Sequence, residues 1–213
     1  MTRQDRQFHP RKQPVQSRSA ETVDVILEAT VRILERAGDG RFTTKEVAEV
    51  AGVSVGSLYQ YFPNKQALAS ELVRRKMARL VGVAEGAATT APPGVAAAAG
   101  HMIGEIIAEK RQNDRYWRAL QAITATVDVQ PLVRDHTLAI FRVTRAMIEA
   151  RVGRALDDAE LGRLVIAMDA LEGALSQMVK TAPARLNESG VSATFTRLFL
   201  AALDLPDAAR ALG

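Results

Sequence analysis

The chain contains no cysteine, which excludes a disulfide scaffold and thiolate metal sites and agrees with a reducing compartment. Export and membrane signals are missing as well. The opening segment, MTRQDRQFHPRKQPVQSRS, carries charges with no apolar run behind them, unlike a secretory leader. The most apolar stretch, residues 86–108, is broken by Pro92, Pro93, His101 and Glu105 and makes a poor bilayer span. A cytoplasmic protein without membrane partners is expected. Its three histidines lie far apart, and no H-E-x-x-H, nucleophile elbow or glycine-rich phosphate loop after a strand occurs. Neither an enzyme nor a metal or cofactor protein is therefore expected.

What is present is apolar helix. Over 213 residues the hydrophobic share is 47%, enough for one large domain or two small ones. The net charge of +4 is concentrated at one end: residues 1–18 hold Arg3, Arg6, Arg11, Lys12 and Arg18 against Asp5, so the remaining chain is neutral. With Pro10 and Pro14 this segment reads as a basic, flexible arm that either follows a nucleic-acid backbone or hangs free.

No strand pattern competes with the helical one. A first helix is expected at 19–37, with Ser19 as cap, Glu21 and Asp24 in its first turn, and Ile26, Ala29, Ile33, Leu34 and Ala37 on one face. The run Gly38-Asp39-Gly40 ends it. A later helix starts after Asn64 and runs through Leu68, Leu72 and Met77 toward Val81 as a connecting rod. Residues 86–94, with Thr89, Thr90, Pro92 and Pro93, read as a linker. Further helices are expected at 95–111, 115–126, 131–156, 158–181 and 192–203, with a weak tail helix after Pro206.

Between the first helix and the rod lies TTKEVAEVAGVSVGSLYQYFPNK, residues 43–65, the most informative segment. Thr43 and Glu46 can form a capping box, and Val47, Ala48 and Ala51 supply an apolar face. Gly52 can take the left-handed conformation that stops a helix. Ser54 can cap a second helix in which Leu58 and Phe62 face inward, while Val55, Gly56, Ser57, Tyr59, Gln60 and Tyr61 face outward. Two short helices crossed at a glycine turn make a DNA-reading helix-turn-helix. An ordinary helical hairpin is the plainer reading. The short second helix, its small or hydroxyl-bearing exposed side and the prompt helix restart at Pro63-Asn64-Lys65 favour DNA.

The Ala51-Gly52-Val53-Ser54 turn, the run Gly56-Ser57-Leu58-Tyr59-Gln60-Tyr61-Phe62 and Lys65 resemble the TetR family of bacterial transcriptional regulators. The likeness covers about a quarter of the chain, from Ser19 to Leu72. It implies an all-α protein: a three-helix helix-turn-helix DNA-binding domain at 19–65, joined by a connecting helix to a larger helical ligand-binding and dimerisation domain at 66–213. It further implies a ligand-responsive, sequence-specific repressor that binds an inverted-repeat operator in double-stranded DNA as a homodimer and is released by an effector. An activator, a low-specificity architectural protein and a helical protein-interaction module are the alternatives. Residue by residue, the resemblance carries DNA contacts to Thr44, Ser54, Val55, Gly56, Ser57, Tyr59, Gln60, Tyr61 and Lys65, with Arg41 a weaker candidate. Hydroxyls and the ammonium suit phosphates, whereas Gln60 and Val55 suit base edges.

The same resemblance places a dimer interface on the last two long helices, at Leu161, Leu164, Val165, Met168, Leu171, Leu175, Met178, Phe195, Leu198 and Phe199. It implies a pocket for a largely apolar small molecule, with Met102, Ile106, Trp117, Gln121, Phe141, Met147, Met168 and Glu172 as candidates beside His101 and His136. Core packing is the ordinary use of such Met and aromatic positions.

Overall fold

The computed structural model describes residues 17–37, 41–124 and 126–204. Residues 1–16 of the basic arm, the Gly38-Asp39-Gly40 terminator and the tail expected after Pro206 lie outside them, whereas Ser17 and Arg18, expected in the arm, already belong to the first helix. Every regular element among the described residues is helical: α1 (Ser17–Ala37), α2 (Thr44–Ala51), α3 (Val55–Tyr61), α4 (Lys65–Thr90), α5 (Val95–Gln112), α6 (Asp114–Thr124), α7 (Gln130–Val152), α8 (Asp158–Thr181), a 3-10 turn (Pro183–Asn187) and α9 (Val191–Leu203). The all-α reading holds. No helix of the described residues is long and apolar enough to cross a membrane.

Two compact units divide the chain. The first takes residues up to Met77 together with Arg115–Arg134, and the second takes Ala78–Asp114 and Asp135 onward. The division falls inside α4, after the first residue of α6 and again inside α7, so the first unit is built from two separate stretches of sequence. It includes α6, which the sequence had grouped with the effector domain.

In the first unit, α1 buries Val23, Ile26, Leu27, Thr30, Val31 and Leu34. That stripe is rotated from the expected face: Ile33 is only half-buried and Ala37 is exposed. Thr30 is tolerated there because its hydroxyl donates to the Ile26 carbonyl at 2.9 Å, leaving no polar atom unmet. Helix α6 adds Trp117, Leu120 and Ile123 to this unit's buried residues. Its first turn is tied to α1 by charge. Arg115 donates to both carboxylate oxygens of Glu35, at 2.9 and 2.8 Å, and reaches Glu28 at 3.3 Å. Tyr116 donates its hydroxyl to Glu28, while Lys76 sits over its ring, 3.8 Å from the centroid. Burial, then the Glu28 carboxylate, push the Tyr116 hydroxyl up to about 12, so it stays a proton donor.

Helix α4 is longer than expected. Residues 86–90, assigned to a linker by their glycine and threonines, continue the helix, and only residues 91–94 connect it to α5. Thr89 and Thr90 turn their hydroxyls back to the carbonyls of Glu85 and Gly86 at 2.9 and 3.0 Å, which suits a closing turn. Arg151 then donates to the carbonyls of Ala91 and Pro92 at 2.9 and 3.1 Å, pinning the connection from α7. That helix, by contrast, stops early: Gly153, at φ 75°, ends it at Val152 rather than at residue 156.

In the second unit α9 packs on both α5 and α8. Small residues permit the approach. Ala98 and Ala99 of α5 are buried, and a Cβ added at Gly100 would already touch Thr196 at 3.5 Å. Helix α8 opens on a capping box in which Asp157 accepts from the Glu160 amide and Glu160 accepts from the Asp157 amide. Arg154 grips both oxygens of Glu160 at 2.7 and 2.6 Å. With that guanidinium first among the causes and the Asp157 amide second, the Glu160 carboxyl is held down to about 2.

Candidate nucleic-acid interface

The helix-turn-helix is assembled by three local devices. Thr43 caps α2 and forms the expected capping box with Glu46: its hydroxyl accepts from the Glu46 amide at 3.2 Å and its own amide donates back at 2.8 Å. Gly52 takes φ 67°, ψ 27°, the left-handed conformation, and its amide closes on the Glu49 carbonyl at 3.2 Å. A Cβ there would have space, so the backbone conformation alone calls for glycine. Ser54 then caps α3, its hydroxyl accepting from the Ser57 amide at 3.0 Å.

Beneath these helices Val47, Ala48, Leu58 and Phe62 are buried. Packing that side of α3 turns its other side outward, with Val55 40% and Tyr59 42% exposed and Gly56 and Gln60 also in solvent. Ser57, Tyr61 and Lys65 are half-buried.

Most polar side chains of this face are already engaged. Thr44 and Tyr59 share a hydroxyl hydrogen bond of 3.0 Å between α2 and α3, and Ser54 and Ser57 share another of 2.8 Å. Ser19 of α1 donates to the Tyr61 hydroxyl at 3.3 Å, and the Lys65 ammonium lies 4.6 Å from the centre of the Phe42 ring. Each hydroxyl pair uses one proton internally and leaves one to donate outward. Among the described residues Gln60 carries no such tie, and its side chain is exposed. Gly56 has a negative φ, and a Cβ there would meet nothing nearer than the Ser54 hydroxyl at 3.8 Å. Nothing inside the protein requires glycine at that position.

Residues 26–72 match the family model for bacterial regulatory proteins of the tetR family. These residues carry a TetR-family DNA-binding domain. The matched residues run from the core of α1 through the helix-turn-helix to the first turns of α4. Comparison with curated proteins finds no match in sequence. Among solved structures, the fatty acid degradation regulator FadR from Bacillus halodurans superposes with a TM-score of 0.68 at 16% identity, covering 91% of this chain and 97% of its own. A TetR-family transcriptional regulator from Streptomyces coelicolor gives 0.60 at 23% identity, over 86% and 96%. FadR from Bacillus subtilis, in complex with stearoyl-CoA, gives 0.65 at 14% identity, over 84% and 97%. At these identities the likeness is one of fold, and it covers 84–91% of this chain in the three structures.

The other predicted sites are placed unevenly. On α8 and α9, Leu164, Leu175, Phe195 and Phe199 are already buried within the chain, while Leu161, Met168, Leu171 and Met178 are half-buried. Val165 of α8 and Leu198 of α9, 44% and 62% exposed, face solvent instead, as does Ile166 at 66%. Ala170, Gly173, Ala174 and Ala201 are exposed with them. Ile166 was missed, though its position beside Val165 signalled it.

The effector candidates do not converge as one set. Met102 and Met147 are buried in the second unit, where the buried Thr144 hydroxyl points at the Met102 sulfur at 3.4 Å. Ile106, Phe141 and Met168 are half-buried in that unit. Trp117 and Gln121, however, belong to the first unit through α6. Glu172 is exposed and accepts from the buried Lys110 at 3.0 Å and from Ser176 at 2.7 Å. His101 pairs with Thr90 at 2.9 Å, and His136 is half-buried on α7.

Proposed function

We propose that the protein is a ligand-responsive transcriptional repressor that binds an inverted-repeat operator as a homodimer through α3. The observation that carries this reading is the outer face of α3. Its inner side is buried, its outer side carries hydroxyls and an amide beside the exposed Val55, and Gly56 sits where the fold itself leaves room for a side chain. Gln60 reads a base edge, Val55 meets a thymine methyl, and the Thr44–Tyr59 and Ser54–Ser57 pairs with Lys65 hold phosphates.

The exposed aliphatic face at Val165, Ile166 and Leu198, with Ala170, Gly173, Ala174 and Ala201, supports a two-fold interface between copies of α8 and α9. Two copies then present two α3 helices to half-sites roughly 34 Å apart. A largely apolar small molecule bound near Met102 and Met147 would release DNA to the extent that it favours one spacing of the α3 helices over the other.

Enrichment of bound fragments from a random duplex pool tests the proposal. An inverted repeat is expected, and failure to enrich any sequence would remove it. Adding stearoyl-CoA to the resulting complex tests one effector class, suggested by the likeness of fold to the Bacillus subtilis regulator. Dissociation would support an acyl thioester ligand, and an unchanged complex would exclude this one.

A further inference from the structure

Phe42 belongs to no assigned site. It precedes the α2 cap, is 4% exposed, and places its ring under the Lys65 ammonium at 4.6 Å from the centroid. Lys65 is the first residue of α4, directly after Asn64, whose side-chain oxygen accepts from the Ala67 amide at 2.8 Å. The ring therefore bridges the starts of two helices, α2 and α4.

The way Lys65 is held, over a ring as Lys76 is, differs from that of five other cations of the fold. Arg75, Arg79, Lys110, Arg115 and Arg154 each lie against a carboxylate. Among the described residues Lys65 has no carboxylate within ion-pair distance, and its partner is the ring. A carboxylate offsets the charge of such a cation and occupies part of its N–H donors, which weakens its attraction for a phosphate. An aromatic face restrains the ammonium through its quadrupole and leaves N–H directions and full charge available. A free lysine in solvent keeps its charge but loses side-chain entropy when it is immobilised on DNA.

We propose that Phe42 is a positioning residue for DNA binding: its ring pre-sets the Lys65 ammonium as a phosphate clamp at the shared starts of α2 and α4. The proposal rests on the DNA-binding reading of α3 and adds a residue that touches no DNA itself.

The test is a binding cycle on a 30-base-pair duplex across a salt series, using the full chain with Phe42→Leu, Lys65→Ala and both changes. Phe42→Leu should weaken binding roughly three- to tenfold, the scale of immobilising one long side chain, without altering the salt slope, because the cation is still present. Lys65→Ala should flatten that slope by about 0.9, the contribution of one phosphate contact. In the Lys65→Ala background, Phe42→Leu should have no further effect. An equal loss in both backgrounds would show that Phe42 acts through the fold and would overturn the proposal.

Pentafluorophenylalanine at position 42 keeps the ring's outline and inverts its quadrupole, so it guards against a Leu variant that does not fold. It should weaken binding as Phe42→Leu does, and native affinity would overturn the proposal. A native chain that binds no duplex at all would remove the DNA-binding reading itself. A native chain that binds but shows no coupling would remove only the role of Phe42.

Discussion

Helix α3 and the α8–α9 pair each turn one side to solvent, and the first is mainly polar where the second is mainly aliphatic. The outer side of α3 offers hydroxyls, an amide and a bare glycine around a single aliphatic group, Val55. The outer side of α8 and α9 offers branched aliphatics, with Ile166 66% and Leu198 62% exposed. Both are surfaces the fold does not use, and each is suited to a different neighbour. Small polar groups let a backbone approach a wet, charged groove. Bare aliphatic groups between small residues are poorly matched to water and well matched to a second helical pair.

The largest effect expected under this comparison comes from cutting the anchor that holds the polar side outward. Leu58→Ala removes a fully buried side chain from beneath α3 and should destabilise the first unit by about 2–5 kcal/mol, measured by thermal or denaturant unfolding, with loss of DNA binding. Next in size is Ile166→Asp, which places a charge on the aliphatic side. It should leave helicity intact and yield a monomer by light scattering, and a monomeric native chain would contradict the proposed interface.

On the polar side, Gln60→Ala should change base preference in a selected pool, whereas Tyr59→Phe should weaken all sequences alike, each by about 1–3 kcal/mol or less. A uniform loss from Gln60→Ala would move that residue to the backbone contacts. Gly56→Ala separates fold from function most cleanly. It has room for its methyl and should raise stability by up to about 1 kcal/mol, yet lower DNA affinity by crowding the groove.

The smallest effect concerns acid. Glu160 has its carboxyl lowered from 4.5 to about 2 in the folded chain. Its stabilisation is therefore complete above about 4.5 and is lost as pH falls toward 2. Glu160→Gln should flatten the acid dependence of unfolding across that window, and an unchanged profile would mean that the Arg154 contact contributes nothing.

The two sides also differ in how readable they were. The helix-turn-helix was legible because each of its devices is local: Thr43 with Glu46, Gly52, and Ser54 with Ser57 all act within a few residues, so spacing alone reveals them. The α8 stripe from Leu161 to Met178 was legible as apolar, but periodicity does not say which helix covers which side. Leu164 and Leu175 proved to be core, and the exposed side lay a fraction of a turn away at Ile166. The extension of α4 through Thr90 was hidden because glycine and threonine ordinarily signal a break, and the hydroxyl bonds that accommodate them appear only in three dimensions. The ties of Ser19 to Tyr61 and of Phe42 to Lys65 link residues 42 and 23 positions apart, beyond the reach of any local pattern.

The first unit draws on residues up to Met77 and again on Arg115–Arg134. On a ribosome, the helix-turn-helix emerges long before Trp117, Leu120 and Ile123, which share its unit. The nascent chain must therefore carry an unfinished apolar surface while some forty intervening residues are made. A DNA-binding fragment cut after Met77 would meet the same condition permanently. The short helices that make this protein's reading surface are local in sequence, but their completion is a late event in the life of the chain.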